Sequence, residues 1–137
     1  MALTLSSAAP AQRLVALEAV QLGETIAAGT FVYRKSSDGL HYKADNNIST
    51  AEADVVGILL QGGVANDWRV AGTSGKFTVD SVMTAGENYL LSNDVASQLE
   101  TYANLTGGDV EYITYLGVAL DTDEILLGIQ ATGLTKA

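Results

Sequence analysis

The sequence contains no cysteine, one proline and one histidine, and its 7 basic residues stand against 16 acidic ones. Each shortage removes a class of protein. Without thiols no disulfide forms, and with His41 alone a zinc site of the cysteine and histidine type cannot be assembled within one chain. A net charge of -9 repels phosphate backbones, whose binding rests on Lys and Arg displacing counterions, so no direct contact with nucleic acid is expected. Long apolar runs are missing as well: glycines and charges interrupt every stretch before the roughly 18 residues of a membrane helix. Residues 1–12 lack the basic start and apolar centre of an export signal. The expectation is a mature, soluble chain made in a cytoplasm, with no membrane contact.

What is present points to strands. The 137 residues are 47% apolar, enough for one domain with its own core. Fourteen glycines punctuate short runs rich in Val, Ile, Thr and Tyr, the pattern of an all-β chain with many turns. Strands are predicted at 14–20, 30–35, 40–44, 55–61, 68–71, 76–80, 88–91, 112–119 and 124–131. Ser36-Ser37-Asp38-Gly39 supplies the Asp-Gly pair that accepts positive φ in a tight hairpin. Ser74-Gly75 and Asp121-Thr122-Asp123 read as further turns. Residues 93–104 remain open between a short helix, with Val95, Leu99 and Tyr102 at helical spacing, and a strand that alternates from Gln98 to Tyr102; at most one short helix is expected. Val56-Gly57-Ile58 and Leu116-Gly117-Val118 form a faint internal echo.

The first twelve residues differ from the remainder. Ala2-Leu3-Thr4-Leu5 alternates weakly, and residues 6–11 are small and uncharged. Residues 1–12 are therefore expected to form a flexible N-terminal arm ahead of a single domain at 13–137. Such an arm is either a frayed terminus or a segment that orders on a neighbour by adding a strand to an exposed edge.

No catalytic, cofactor or metal residue emerges, and the chain is not expected to be an enzyme. Gly72-Thr73-Ser74-Gly75-Lys76 imitates a phosphate loop, but Val70 stands where the first glycine belongs and Phe77 follows the lysine; a hairpin turn is the expectation. His41 is expected at the surface. No serine lies in the Gly-x-Ser-x-Gly turn of a hydrolase. Asp121, Asp123 and Glu124, like Asp45 with Asn46 and Asn47, lack the spacing of a calcium loop and read as solvated turns. Trp68 is either a core anchor or, together with Arg69, part of a contact surface on a strand at a sheet edge, since aromatics and Arg concentrate in interface cores.

The middle of the chain resembles a known family. Phe31-Val32-Tyr33-Arg34-Lys35-Ser36-Ser37-Asp38-Gly39-Leu40, then Val55-Val56-Gly57-Ile58-Leu59, then Arg69-Val70-Ala71-Gly72-Thr73-Ser74-Gly75-Lys76-Phe77 are similar to the head decoration, or capsid cement, proteins of tailed phages, including the lambda type. The resemblance spans 27–79, with further likeness at Ala85-Gly86, Tyr89-Leu90-Leu91-Ser92 and Leu116-Gly117-Val118-Ala119. It implies a small β-barrel or β-tulip domain and a homotrimer on the outer surface of the expanded phage head. The implied partner is the major capsid protein, and Ala2, Leu3, Thr4 and Leu5 of the arm would order on the shell. The chain carries more residues after Phe77 than the shortest members of that family. A fibre or spike module of the virion, or a carbohydrate-binding module with Trp68 as stacking platform, are the competing expectations.

Overall fold

The computed structural model describes residues 3–46, 49–92, 99–104 and 112–135. Its elements are β1 (Ala8–Pro10), β2 (Ala16–Gln21), β3 (Phe31–Arg34), β4 (His41–Lys43), β5 (Val55–Leu59), β6 (Trp68–Val79), β7 (Asn88–Leu91), β8 (Leu99–Glu100), one turn of 3-10 helix at Tyr102–Asn104, β9 (Tyr112–Ala119) and β10 (Glu124–Thr135). The all-β expectation holds: an antiparallel sheet curls into a half-barrel in the order β4-β3-β5-β6-β10-β9-β7-β8. Of the two readings of 93–104, the strand holds for Leu99–Glu100 and helical structure is confined to the single turn after it; residues 93–98, Val95 included, lie outside the described residues.

β6 organises the sheet. Its N-terminal half has β2 on one side and β5 on the other, since Ala71 opposes both Glu18 and Leu59; its C-terminal half has β1 and β10, since Phe77 opposes both Pro10 and Ile125. Two strands with a turn at Ser74-Gly75 were the expectation here, and one twelve-residue strand is the finding. The glycines bend the strand without ending it. Gly75 sits at φ 104 beside the register shift between Ala16 and Leu17, and the Phe77 ring occupies the space a side chain at Gly72 would need.

The apolar runs of β3 and β5 are buried on both faces. Phe31, Tyr33, Val55 and Ile58 join the main core with Phe77, Leu91, Leu99, Leu116 and Ile125, whereas Val32 and Leu59 face a second cluster with Val20, Leu22, Ile26 and Ala71. Alternation sends successive residues to opposite faces, interrupted in β5 by the register shift that leaves Val55 and Ile58 in one cluster, so a strand covered twice is apolar along its length. The echoed glycines share a cause as well. A side chain at Gly57 would strike the Gly72 carbonyl, and one at Gly117 the Leu126 carbonyl, each on the neighbouring strand.

The Asp-Gly hairpin forms between β3 and β4. Gly39 takes φ 74, the Gly39 N–H donates to the Lys35 carbonyl (2.8 Å), and Asp38 Oδ1 accepts from the Leu40 N–H (3.0 Å). The Tyr42 hydroxyl donates to Asp38 Oδ2 (2.6 Å) and is the main reason that carboxyl lies below its usual value.

The expected loose arm is corrected from Leu3 onward. Leu3 exchanges backbone hydrogen bonds with Leu99, Leu5 is 2% exposed in the main core, and β1 pairs with β6. The anchor between them is Asp80, whose carboxylate accepts from the backbone N–H and hydroxyl of both Ser6 and Ser7 at 2.6 to 3.1 Å. A short polar pair after an apolar residue is therefore a clasp, and Leu5 has a slot to fill.

These bonds, the Ser6 hydroxyl first, hold the Asp80 carboxyl at about 2, below the ordinary 3.8. A carboxyl depressed by folding contributes stability above its unfolded value and loses it as pH falls through the folded one. Solvent reaches Asp80, so the contribution is about 1 kcal/mol after screening. Asp80→Asn is expected to destabilise the protein by about that amount at pH 7 and by less near pH 2, as urea unfolding at the two pH values would record.

Candidate functional site

The antiparallel register places Leu17 opposite Gly72, Ala19 opposite Val70 and Gln21 opposite Trp68, all on one face of the β2–β6 ladder. The intervening pairs, Glu18 with Ala71 and Val20 with Arg69, look the other way, where Val20 and Ala71 enter the second cluster. At its Gly72 end the first face runs into the main core, against Ile58 and Phe77. Toward Trp68, among the described residues, nothing covers it. Trp68 is 62% exposed, Leu17 51% and Val70 41%.

Leu60 bridges the covered and open parts. It packs against the main core, its N–H donates to the Val70 carbonyl (3.0 Å), and with Ala19, Gln61, Trp68, Arg69 and Val70 it lines a shallow hollow of about 290 Å³. The result is an apolar sheet face that continues the core outward to solvent. Exposed apolar groups of this kind lose free energy only when another surface removes them from water, at about 25 cal/mol per Å².

Trp68 and Arg69 part company. Trp68 is no core anchor and stands on the open face; its strand is the most connected in the sheet, where an edge was expected. Arg69 turns to the opposite side: Nε donates to the Gly62 carbonyl (2.9 Å), a terminal nitrogen to the Trp68 carbonyl (2.8 Å), and the other pairs with Asp67 at 3.2 Å. Its role is to hold the loop from Gly62 to Asp67, which keeps the hollow beside Trp68 in shape. Of the arm residues, Leu3 and Leu5 are packed into the chain's own fold, Thr4 is exposed, and Ala2 lies outside the described residues. The arm lies along the C-terminal end of β6 and Trp68 at its N-terminal end, so the two expected contact groups do not form one surface.

Sequence reading missed Leu17, Ala19, Leu60 and Val70. The signal was there in Leu17-x-Ala19 and Trp68-x-Val70, two alternating segments whose pairing puts them side by side. His41 corrects another expectation: it is 7% exposed, with Nδ1 3.2 Å from the Gln21 carbonyl oxygen. Burial lowers its pKa, so it favours the neutral ring. Asp121, Asp123 and Glu124 converge, their carboxylate oxygens within 4.8 Å of one another; Glu124 is also 3.4 Å from the Lys76 ammonium and Asp121 accepts from the Thr122 N–H. Asn46 is fully buried, its side-chain amide donating to the Leu91 carbonyl (2.8 Å), while Asn47 lies outside the described residues.

None of the protein-family models matches the chain, and no curated protein does either.

Proposed function

We propose that this protein is a capsid decoration protein that lies on the outer surface of an expanded phage head and holds it together through its open β2–β6 face. The observation that carries the reading is the uncovered apolar face of Leu17, Ala19, Val70 and Trp68. The resemblance at 27–79 supplies the surface it meets, that of the major capsid protein, and the expected homotrimer. Adhesion of this kind needs no reacting group. A shell filled with packed DNA is pushed outward, and surface buried across neighbouring subunits raises the free energy of separating them. Repetition at equivalent positions multiplies small contacts, and an acidic chain is suited to a position away from DNA.

Purified protein mixed with undecorated expanded heads is expected to give ordered outer density, and Trp68→Ala to weaken binding about 30-fold, the loss of roughly 2 kcal/mol typical of a central aromatic contact. Bare shells with the wild-type protein would overturn the reading; density confined to a tail or vertex would favour a fibre or spike module. The exposed indole also favours a sugar-stacking surface, which a glycan array tests. The aliphatic neighbours Leu17, Ala19 and Val70 suit a protein surface better than a polyhydroxylated ring.

A further inference from the structure

β2 has β6 on one side and, among the described residues, no strand on the other. The register decides which groups point outward. The Leu60 N–H donates to the Val70 carbonyl, so the backbone polar groups of Val70 are turned toward β5. Ala19, opposite Val70, therefore occupies a position at which β2 and β6 exchange no hydrogen bond, and its own N–H and C=O point away from the sheet. Leu17, two residues earlier and opposite Gly72, shares that parity. The outer edge of β2 thus offers unpaired backbone groups at the two residues whose side chains begin the open apolar face. Glu18 is the only charge in the strand.

A second edge has no partner strand among the described residues. β10 pairs with β6 as far as Gly128 and then, among those residues, continues to Thr135 along β9 alone. Every residue from Gln130 to Thr135 is exposed, and 129–135 carry no charge in a chain of net charge -9. Beside this tail a hollow of about 430 Å³ separates Ala131, Thr132 and Gly133 from Thr50, Ala51 and Asp54. Folded proteins protect free strand edges with charges, proline, bulges or a covering element; β2 carries one charge, Glu18, and the shift after Ala16, and the β10 tail carries register shifts alone.

We propose that the two edges are halves of one junction: the outer edge of β2 in one copy takes the β10 tail, 129–135, of a second copy. Charge selects this combination. Pairing β2 with β2 brings two Glu18 carboxylates into one ladder, whereas the tail brings no charge to Glu18 at all. Tail against tail leaves both β2 edges unpaired. A contact between two different edges joins copies head to tail, closing into a ring where the rotation between copies allows it and running on as an open filament where it does not; the ring is the outcome that fits the expected homotrimer. The inference deepens the decoration reading, on which its expected number of copies rests, by naming where copies meet.

Light scattering on the isolated protein tests it without any shell. The wild type is expected to scatter as several chains of 14.3 kDa. Ala19→Pro removes one outward N–H and breaks no bond between β2 and β6, a placement edge strands accept. Ala131→Glu sets a carboxylate on the tail. Each variant alone is expected as a single chain, and an equimolar mixture as pairs and nothing larger, because only one junction per pair has two intact edges. That recovery requires both variants to be folded. A wild type that stays a single chain at about 100 µM, a variant that assembles like the wild type, or a mixture that remains single chains would overturn the junction. Shell binding by a monomeric wild type would remove the junction and leave the decoration reading standing; an assembled protein that ignores shells would do the reverse.

Discussion

Phe77→Ala is expected to lower the free energy of unfolding by about 4 kcal/mol, with a proportionate fall in the urea midpoint and little change in slope. Phe77 is fully buried, and its ring lies over Gly72, where no side chain competes for the space. The walls around it cannot close. β6 is paired at Phe77 with Pro10 on one side and Ile125 on the other, so the backbone is held in place and the cavity persists. Phe77→Leu, which refills much of the volume, is expected to cost about 1.5 kcal/mol. A loss below about 1 kcal/mol for the alanine variant would contradict the burial of the ring.

Leu5→Ala carries the second large expectation, a loss of about 3 kcal/mol in the same measurement. A residue on a free arm contributes nothing to unfolding. Leu5 is instead 2% exposed in the main core, flanked by the Leu3–Leu99 bridge and by the serines that hold Asp80. The comparison with Thr4→Ala, at an exposed neighbouring position, separates the lost burial from any general effect of altering the terminus; that change is expected to stay within about 0.5 kcal/mol. Equal stabilities for wild type and Leu5→Ala would restore the arm as a loose segment.

Much of the fold was legible because it follows from local chemistry. Asp38-Gly39 specifies its hairpin through one residue that tolerates positive φ and one whose carboxylate bonds the backbone two residues on. The strands at β3, β5, β7 and β9 announce themselves by runs of Val, Ile, Leu and Tyr between glycines. β1 escaped because Ala-Ala-Pro has no strand signature, and it is a strand only because β6 offers an edge beside it. The division of β6 failed for the opposite reason: Gly72 and Gly75 look like a turn, yet partners on both sides carry the strand through them. Trp68 was legible as a residue of interest but not as exposed.

From the amino-acid order alone came the all-β class, the hairpin around Asp38-Gly39 and the net charge of -9, since these depend on neighbours a few bonds apart or on charge summed over the chain. Tertiary structure decided which sides are covered. Val20 and Trp68 both sit in alternating strands, and only pairings between distant segments bury the one at 0% exposure and leave the other at 62%. Period-two alternation assigns a side chain to a face, but the presence of anything packed against that face is a property of the assembled sheet.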